Sequence, residues 1–199
     1  MAEERLILID EKNRATGFGT KTAVHRAGLL HRAFSIFIVD DQGRILLQKR
    51  SAEKYHSGGL WANSCCGHPR PGEATPAAAR RRLTEEIGIA APLSFGFFSR
   101  YRAQLDGGMQ ENEFVYAYFG PLTGEPQPDP AEVSAVEFVA PEELRRRIAR
   151  QPGHFTYWLR HYVQNHYPDI VRLVKASCRA ATRPANGAGR KSTALNAQR

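Results

Sequence analysis

The sequence predicts an α+β domain, in which strands and helices pack in layers without alternating strictly along the chain. Six short runs rich in β-branched or aromatic residues outnumber three segments with helical periodicity, and the two kinds do not follow one another in turn. With 199 residues, 42% of them hydrophobic and 24% charged, the chain can bury a substantial core. No apolar run approaches the roughly 20 residues of a membrane-spanning helix.

The elements follow from local patterns in chain order. Strands are predicted at residues 5–10, 33–40, 44–49, 94–103, 113–120 and 133–139. The DDQG segment at 40–43 is typical of a hairpin turn and separates the second strand from the third. Helices are predicted at residues 74–88, 141–150 and 155–166, and Pro141 occupies a first-turn position of the second helix. Turn-forming residues predict loops at 106–112 and 124–130.

The predicted helix at 74–88 carries two patterns. Ala79, Leu83 and Ile87 recur every four residues and predict a stripe that faces the core. Two ion pairs are also spaced four residues apart, so the members of each pair share one side of the helix. They are Arg81 with Glu85 and Arg82 with Glu86.

The net charge of +8 is concentrated at the C-terminus. No acidic residue follows Asp169, whereas seven basic residues do, and from Arg183 onward the composition offers almost nothing to bury. We therefore predict a domain over residues 1–170 and a basic, mostly disordered tail over 171–199. A solvated tail is the simpler interpretation, with a tether to an anionic surface or RNA as the alternative. No nucleic-acid partner is expected.

The cysteines and the N-terminus indicate the compartment. Cys65, Cys66 and Cys178 are an odd number, and sequence neighbours rarely form a relaxed disulfide. The segment MAEERLILID at the N-terminus is acidic and then strand-like, which is not typical of a signal peptide. A reducing, cytoplasmic location is therefore expected.

A fixed-spacing pattern spans residues 67–89, GHPRPGEATPAAARRRLTEEIGI. It resembles the Nudix box, G-x5-E-x7-R-E-U-x-E-E-x-G-U, where U is a bulky aliphatic residue. The matching residues include Gly67, Glu73, Arg81, Glu85, Glu86 and Gly88. One defined position departs, because Arg82 stands where the box has a glutamate. The box gathers carboxylates that bind divalent cations, and the cations bind a diphosphate, so losing one carboxylate should weaken the usual hydrolysis.

The segments around the box are similar to those of the type I isopentenyl-diphosphate isomerases. They are NSCCGH at 63–68, RYRA at 100–103, ENE at 111–113 and the upstream His25 and His31. The resemblance runs from about Glu4 to about Tyr167 and implies the Nudix fold, an α/β/α sandwich with a mixed β-sheet. It also implies an enzyme that moves a double bond in a five-carbon diphosphate without cleaving the diphosphate, acting as a monomer or weak dimer.

Such a reaction adds a proton at one carbon and removes another two carbons away, through a tertiary carbocation. It requires two proton-transfer groups on either side of the chain and an electron-rich neighbour. The resemblance implies that Glu113 protonates the alkene with help from Tyr101 and that Cys66 acts on the opposite face. It also implies that Trp158 stabilises the cation. We expect neighbouring cations to tune the thiol pKa from about 8.5 toward neutrality.

Each catalytic assignment has an alternative. Cys66 could be a small buried hydrophobe, and Tyr101 and Trp158 could be packing residues. In an extended segment Cys65 points away from Cys66, which favours a structural role for Cys65, although the two roles could be exchanged.

The resemblance further implies a first divalent ion, whose ligands are His25, His31, His68, Glu111 and Glu113. Glu111 and Glu113 are two residues apart at the start of an apparent strand, so both project to one face. Mg2+ prefers oxygen ligands, so three imidazoles favour Mn2+, Zn2+ or another ion that accepts nitrogen, with Mg2+ as the alternative. The interval between His25 and His31 is one residue shorter than in the family pattern, and unconnected surface histidines are the alternative for these two.

A second ion, Mg2+, is expected to join the diphosphate to Glu86. The residues implied to hold phosphate oxygens are Lys21, Arg50, Lys54 and Arg82. The guanidinium of Arg82 suits an anionic oxygen, which would explain the departure from the box. Lys21 and Lys54 could equally be surface lysines. The histidines without a match, predicted to be surface or satisfied residues, are His56, His154, His161 and His166.

Two other function classes stay open. A Nudix hydrolase acting on a nucleoside diphosphate derivative would release inorganic phosphate or a nucleotide. A non-enzymatic binding module would depend on the basic tail, so removing residues 183–199 would abolish its function.

Overall fold

The computed structural model describes residues 3–181. The strands are β1 (Arg5–Ile9), β2 (Ala15–Thr20), β3 (His31–Val39), β4 (Ile45–Arg50), β5 (Trp61–Ala62), β6 (Cys65–Gly67), β7 (Ser94–Gln104), β8 (Gln110–Pro121) and β9 (Val133–Val139). The helices are α1 (Lys21–Ala27), α2 (Thr75–Ile87), α3 (Pro141–Arg150), α4 (Tyr157–Asn165) and α5 (Tyr167–Ala181). Within this range no helix is both long and apolar enough to cross a membrane.

Strand β3 is the centre of the sheet. On one side β8 runs parallel to it, from His31 opposite Glu113 to Val39 opposite Pro121. On the other side β6 pairs antiparallel, with Cys66 opposite Ser35. Strand β7 pairs antiparallel with β8, so the sheet is mixed.

The apolar side chains of β3 alternate between two cores. From Ala33 to Val39 the odd-numbered ones pack with α3, α4 and α5. From Phe34 to Ile38 the even-numbered ones pack with α2. Helices therefore cover both faces of the sheet, which confirms the α/β/α sandwich.

Helix α2 has the core-facing apolar residues and the C-terminal end that its sequence predicts. Ala79, Leu83 and Ile87 are fully buried. The helix is followed by Gly88 in the left-handed region, at φ 74°. A Cβ at this position would lie 2.5 Å from the carbonyl oxygen of Gln127, so both the conformation and the close approach require glycine.

All six predicted strands and three predicted helices are present, with ends shifted by a few residues. The turn at 40–43 closes where the Gly43 N–H donates to the Asp40 carbonyl at 3.2 Å. Strand β8 already begins at Gln110, inside the predicted loop at 106–112. The prediction missed α1, β2, β5 and β6, since β2 contains two glycines and the other three elements are short.

A helix runs across residue 170, where the sequence predicts the domain to end. Residues Tyr167–Ala181 form α5, and its Ile170 and Val174 are buried in the core beneath the sheet. Apolar residues recur along α5 at helical spacing, and this pattern outweighs the run of basic residues. Residues 182–199, where the prediction places most of the disordered tail, lie outside the described part.

Two truncated proteins should distinguish the contribution of α5 to stability from that of the residues after it. Removing residues 171–199 takes away most of α5, and a fully buried apolar side chain contributes about 1.5–3 kcal/mol. We expect the free energy of unfolding, measured with urea, to fall by about 3 kcal/mol or more. Removing only residues 183–199 should leave stability and turnover nearly unchanged. Equal stability of both truncated proteins would contradict the packing of α5.

Candidate active site

One cavity brings most of the predicted site residues together. Those lining it are Lys21, Arg50, Lys54, Cys66, His68, Arg82, Glu86, Tyr101, Glu111, Glu113 and Trp158. His25 and His31 do not line the cavity but are fully buried close to it, with ring centroids 5.4 and 5.0 Å from that of His68. The predicted site residues therefore lie close together in the structure.

Strand pairing places a row of side chains across three strands. Tyr101 of β7 lies opposite Glu113 of β8, and Glu113 lies opposite His31 of β3. The Tyr101 hydroxyl donates a hydrogen bond to Glu113 Oε2 at 2.5 Å. Glu111 lies two residues before Glu113 on β8 and is also buried, so the two carboxylates share one face as predicted.

His25 and His31 come together in spite of their short interval. Their ring centroids are 4.8 Å apart. Each Nδ1 lies 2.8 Å from a backbone carbonyl oxygen, that of Lys21 for His25 and that of Leu29 for His31. A carbonyl only accepts hydrogen bonds, so each Nδ1 carries a proton, which leaves Nε2 with a lone pair when the imidazole is neutral.

Four of the predicted ligands fit a divalent cation. The ligand atoms of His25, His31, His68 and Glu113 all lie within 4.8 Å of one another. The Nε2 atoms of His25 and His31 are buried and have no hydrogen-bond partner. Buried polar atoms without a partner are costly, and a cation would satisfy them. Three nitrogens and a carboxylate oxygen suit Mn2+ or Zn2+.

Glu111 is grouped differently from the prediction. Its close neighbours are His25 and His56, with Oε2 3.3 Å from His25 Nε2 and Oε1 3.6 Å from His56 Nε2. His56, predicted to be a surface or satisfied residue, is 6% exposed and lines the cavity. It lies in an irregular segment between β4 and β5, where no periodicity marks the buried positions.

The pKa values of the two carboxylates are shifted in opposite directions. Burial raises the pKa of Glu111, and the neighbouring charge of Glu113 raises it further. Burial also opposes ionisation of Glu113, but the imidazoles of His31 and His68 outweigh it and hold its pKa well below the usual range. Burial lowers the pKa of His68 to about 4 and that of His56 to about 3, so both imidazoles are neutral.

The adjacent cysteines face opposite sides of the sheet. Cys65 is fully buried in the core beneath α2. Cys66 lines the cavity, where its Sγ lies 3.4 Å from Ser35 Oγ and donates to Asn63 Oδ1 at 3.2 Å. This confirms the predicted alternation. Burial raises the pKa of the Cys66 thiol to about 12.

Tyr101 and Trp158 belong both to the cavity wall and to the core. Burial raises the pKa of Tyr101, as does the charge of Glu113, so the phenol keeps its proton. Trp158 is 4% exposed, and its Nε1 has no hydrogen-bond partner. The Arg50 guanidinium carbon lies 5.3 Å from the Trp158 ring centroid, so this ring already contacts a cation.

The four predicted phosphate-binding residues line the cavity, and three of them are paired with carboxylates. The pairs are Lys21 with Glu4, Lys54 with Glu132 and Arg82 with Glu86. Arg50 instead donates to the backbone carbonyl of His56 at 3.2 Å. Burial lowers the pKa of Lys54 to about 8. An anionic ligand entering here would compete with the three carboxylates, of which Glu4 and Glu132 were not predicted.

The box residues divide into two roles. Arg81 donates two hydrogen bonds of 2.8 Å to the carboxylate of Glu73, and this bidentate pair fixes the loop onto α2. Glu86 is 5% exposed and lines the cavity, where Gln48 Nε2 donates to it at 3.2 Å. Glu86 is therefore the box carboxylate placed to meet a ligand.

Comparisons with known proteins extend these observations. Residues 29–159 match the model of the NUDIX domain. The chain is 50% identical over 156 residues to isopentenyl-diphosphate Delta-isomerase of Serratia proteamaculans, covering 78% of this chain and 87% of that protein. It is also 50% identical over 156 residues to isopentenyl-diphosphate Delta-isomerase of Burkholderia multivorans, covering 78% of this chain and 89% of that protein. The crystal structure of DR0079 from Deinococcus radiodurans has a TM-score of 0.67 and 22% identity, over 81% of this chain and 98% of that chain.

Proposed function

Since this chain belongs to the Nudix family and, within it, to the isopentenyl-diphosphate Delta-isomerases, we propose that it interconverts isopentenyl diphosphate and dimethylallyl diphosphate. It is an enzyme of isoprenoid biosynthesis that moves a double bond within its substrate. The observation that carries the proposal is the cavity in which Cys66 and Glu113 lie beside a buried group of histidines.

Cys66 and Glu113 are the proposed proton-transfer groups. Strand β3 lies between β6 and β8, so the two side chains come from strands on its two sides. We infer that these two groups exchange protons with opposite faces of the five-carbon chain, one giving a proton and the other taking one. The Tyr101 hydroxyl would hold the carboxylate in place.

After one turnover these two groups would have exchanged protonation states. The group that gave its proton would be ionised, and the group that took a proton would hold it. Exchange with solvent would return the site to its resting state, and solvent hydrogen would therefore enter the product.

The proposed metal centre consists of His25, His31, His68 and Glu113, with Glu111 beside them. A bound Mn2+, Zn2+ or Mg2+ would supply the positive charge that keeps the buried carboxylates ionised. The imidazoles of His25 and His31 support this assignment because their buried Nε2 atoms make no hydrogen bond and face carboxylate oxygens of Glu111 and Glu113 at 3.3 and 3.5 Å.

The diphosphate would bind among the basic residues of the cavity, Lys21, Arg50, Lys54 and Arg82. Their present carboxylate partners would give way to phosphate oxygens, which offer the same charge-assisted hydrogen bonds. A Mg2+ ion brought in with the diphosphate would take Glu86 as its protein ligand.

The setting we propose is a reducing cytoplasm, because all three cysteines are free and one of them would be catalytic. A monomer or weak dimer would suffice, since a single chain supplies every residue of the site described above.

Proton exchange with solvent tests the proposed function. We expect incubation with isopentenyl diphosphate in deuterated water to give deuterium-labelled dimethylallyl diphosphate, detected by NMR, without release of phosphate or diphosphate. If phosphate appeared as fast as the substrate disappeared, the chain would be a hydrolase. The same assay on a protein lacking residues 183–199 should give the same label, whereas a module that acts through its basic tail would lose its function.

A further inference from the structure

Ser35 is a buried polar residue of the cavity wall with no part in the proposed mechanism. It lies in β3 directly opposite Cys66 of β6, so the two side chains share the cavity face of the sheet. Its Oγ lies 3.4 Å from Cys66 Sγ and 3.0 Å from the Tyr162 hydroxyl. Ser35 is 2% exposed, and Tyr162 of α4 is fully buried. One serine hydroxyl therefore connects the thiol to a helix of the core.

The direction of these hydrogen bonds follows from Asn63, the other partner of the thiol. Asn63 Nδ2 donates to the backbone carbonyls of Ile36 and Cys65, both at 3.0 Å. Its Oδ1 therefore faces Cys66 Sγ, at 3.2 Å, and an amide oxygen only accepts hydrogen bonds. The thiol has a single hydrogen, so it donates to Asn63 and accepts from the Ser35 hydroxyl.

Tyr162 is the far end of this chain of hydrogen bonds. The Ser35 hydroxyl also has a single hydrogen, which it gives to the sulfur, so the Tyr162 hydroxyl donates to Ser35 Oγ. The Tyr162 ring is fixed in the core, with its centroid 6.0 Å from that of Phe37 and 6.2 Å from that of Phe97. Tyr162 also follows Trp158 by one helical turn, so α4 supplies both the cavity wall and the anchor of the chain.

We propose that Ser35 is a positioning residue that holds the Cys66 sulfur at the cavity in both of its protonation states, with Tyr162 as the anchor. The bond from Ser35 does not use the thiol proton, so it remains when that proton moves to or from the five-carbon chain. The bond to Asn63 needs the proton and is lost. The Ser35 hydroxyl keeps its own proton throughout, and its bond strengthens when the sulfur is charged. This inference rests on the proposed role of Cys66 in proton transfer.

Turnover and substrate binding, measured separately, test the proposal. Ser35→Ala should lower kcat by about 10- to 100-fold, because the sulfur loses the partner that orients it. The dissociation constant of isopentenyl diphosphate should stay within about twofold, since the basic residues are unchanged. Tyr162→Phe should have a smaller effect in the same direction. It should add nothing to the loss in Ser35→Ala, because it acts through that hydroxyl.

The Cys66→Ala background shows whether Ser35 acts through the sulfur. In that background Ser35→Ala should cause no further loss of turnover. The slow reaction is followed by NMR as deuterium label accumulates during a long incubation in deuterated water. Ser99→Ala is the matched control, expected to keep the normal kcat. Its buried hydroxyl likewise lies between two side chains, those of His161 and His166, but does not line the cavity.

Several outcomes would overturn the proposal. They are a normal kcat in Ser35→Ala, a loss that adds in full to that of Cys66→Ala, and an equal loss in Ser99→Ala. The second would indicate an effect on packing alone. If the unsubstituted protein gave no labelled product, the proposed function itself would fail, which is a distinguishable result. Thermal melting checks that each variant is folded. If Ser35→Ala were not, a normal kcat in Tyr162→Phe would still contradict the proposal.

Discussion

Cys66→Ala should lower the turnover number by about two to four orders of magnitude while substrate binding is largely kept. The thiol is one of the two proposed proton-transfer groups at the cavity, and burial raises its pKa to about 12. The diphosphate, in contrast, would be held by basic residues and cations that the substitution does not touch. Steady-state turnover and the dissociation constant of the substrate, measured by calorimetry, separate the two effects.

Cys65→Ala is the matched control for this prediction. Cys65 lies in the core beneath α2 and faces away from the cavity, so its loss should cost about 1 kcal/mol of stability and little turnover. A thiol-alkylating reagent should inactivate the enzyme faster as the pH rises toward 12, because the reactive thiolate fraction increases, and bound substrate should protect it. Normal turnover in Cys66→Ala would remove the acid–base role, and a defect confined to Cys65→Ala would assign it to the other sulfur.

Glu113→Gln should abolish both metal binding and turnover. The side chain contacts His68 at 2.9 Å and Tyr101 at 2.5 Å, and its charge faces the buried imidazoles. An amide keeps the shape but not the charge, so we expect metal affinity to fall by at least about 10–100-fold. With one of the two proton-transfer groups also lost, turnover should fall by about three orders of magnitude or more. Metal content by mass spectrometry and steady-state assays measure the two effects.

Glu85→Gln is the control of the same chemistry. Glu85 is half exposed, pairs with Arg81 and Arg82 and does not line the cavity, so its loss should leave metal content unchanged. Treatment with a chelator should inactivate the unsubstituted enzyme, and restored Mn2+ or Zn2+ should recover it. Full activity in a chelator that leaves no bound metal would contradict the metal-dependent mechanism.

The sequence could predict the location of the site because its residues sit in regular patterns. Glu111 and Glu113 share a face through strand alternation, and Cys65 and Cys66 separate for the same reason. Three-dimensional neighbours could not be predicted in this way. The pKa of Cys66 depends on burial by residues distant in sequence, and Lys54 finds its carboxylate partner in Glu132, far along the chain.

The burial of His56 and the helix α5 were not predicted for the same reason. His56 lies in an irregular segment, so nothing in its sequence neighbourhood indicates that it would be buried beside Glu111. In α5 the basic residues dominate the composition, and they concealed an apolar spacing whose importance depends on the core it covers.

Insertions and deletions should be tolerated unequally along this chain. Strand β3 holds Glu113 opposite His31 and Cys66 opposite Ser35. One residue added within β3 between these two positions would turn the side chains on one side of it to the other face, and the proton-transfer pair would come apart. The connection before β3 does not take part in the pairing of β3 with β6 and β8, so a change in its length does not shift that register. There the interval that the sequence analysis expects to be one residue short still lets the rings of His25 and His31 meet at 4.8 Å, so changes in length belong in the connections.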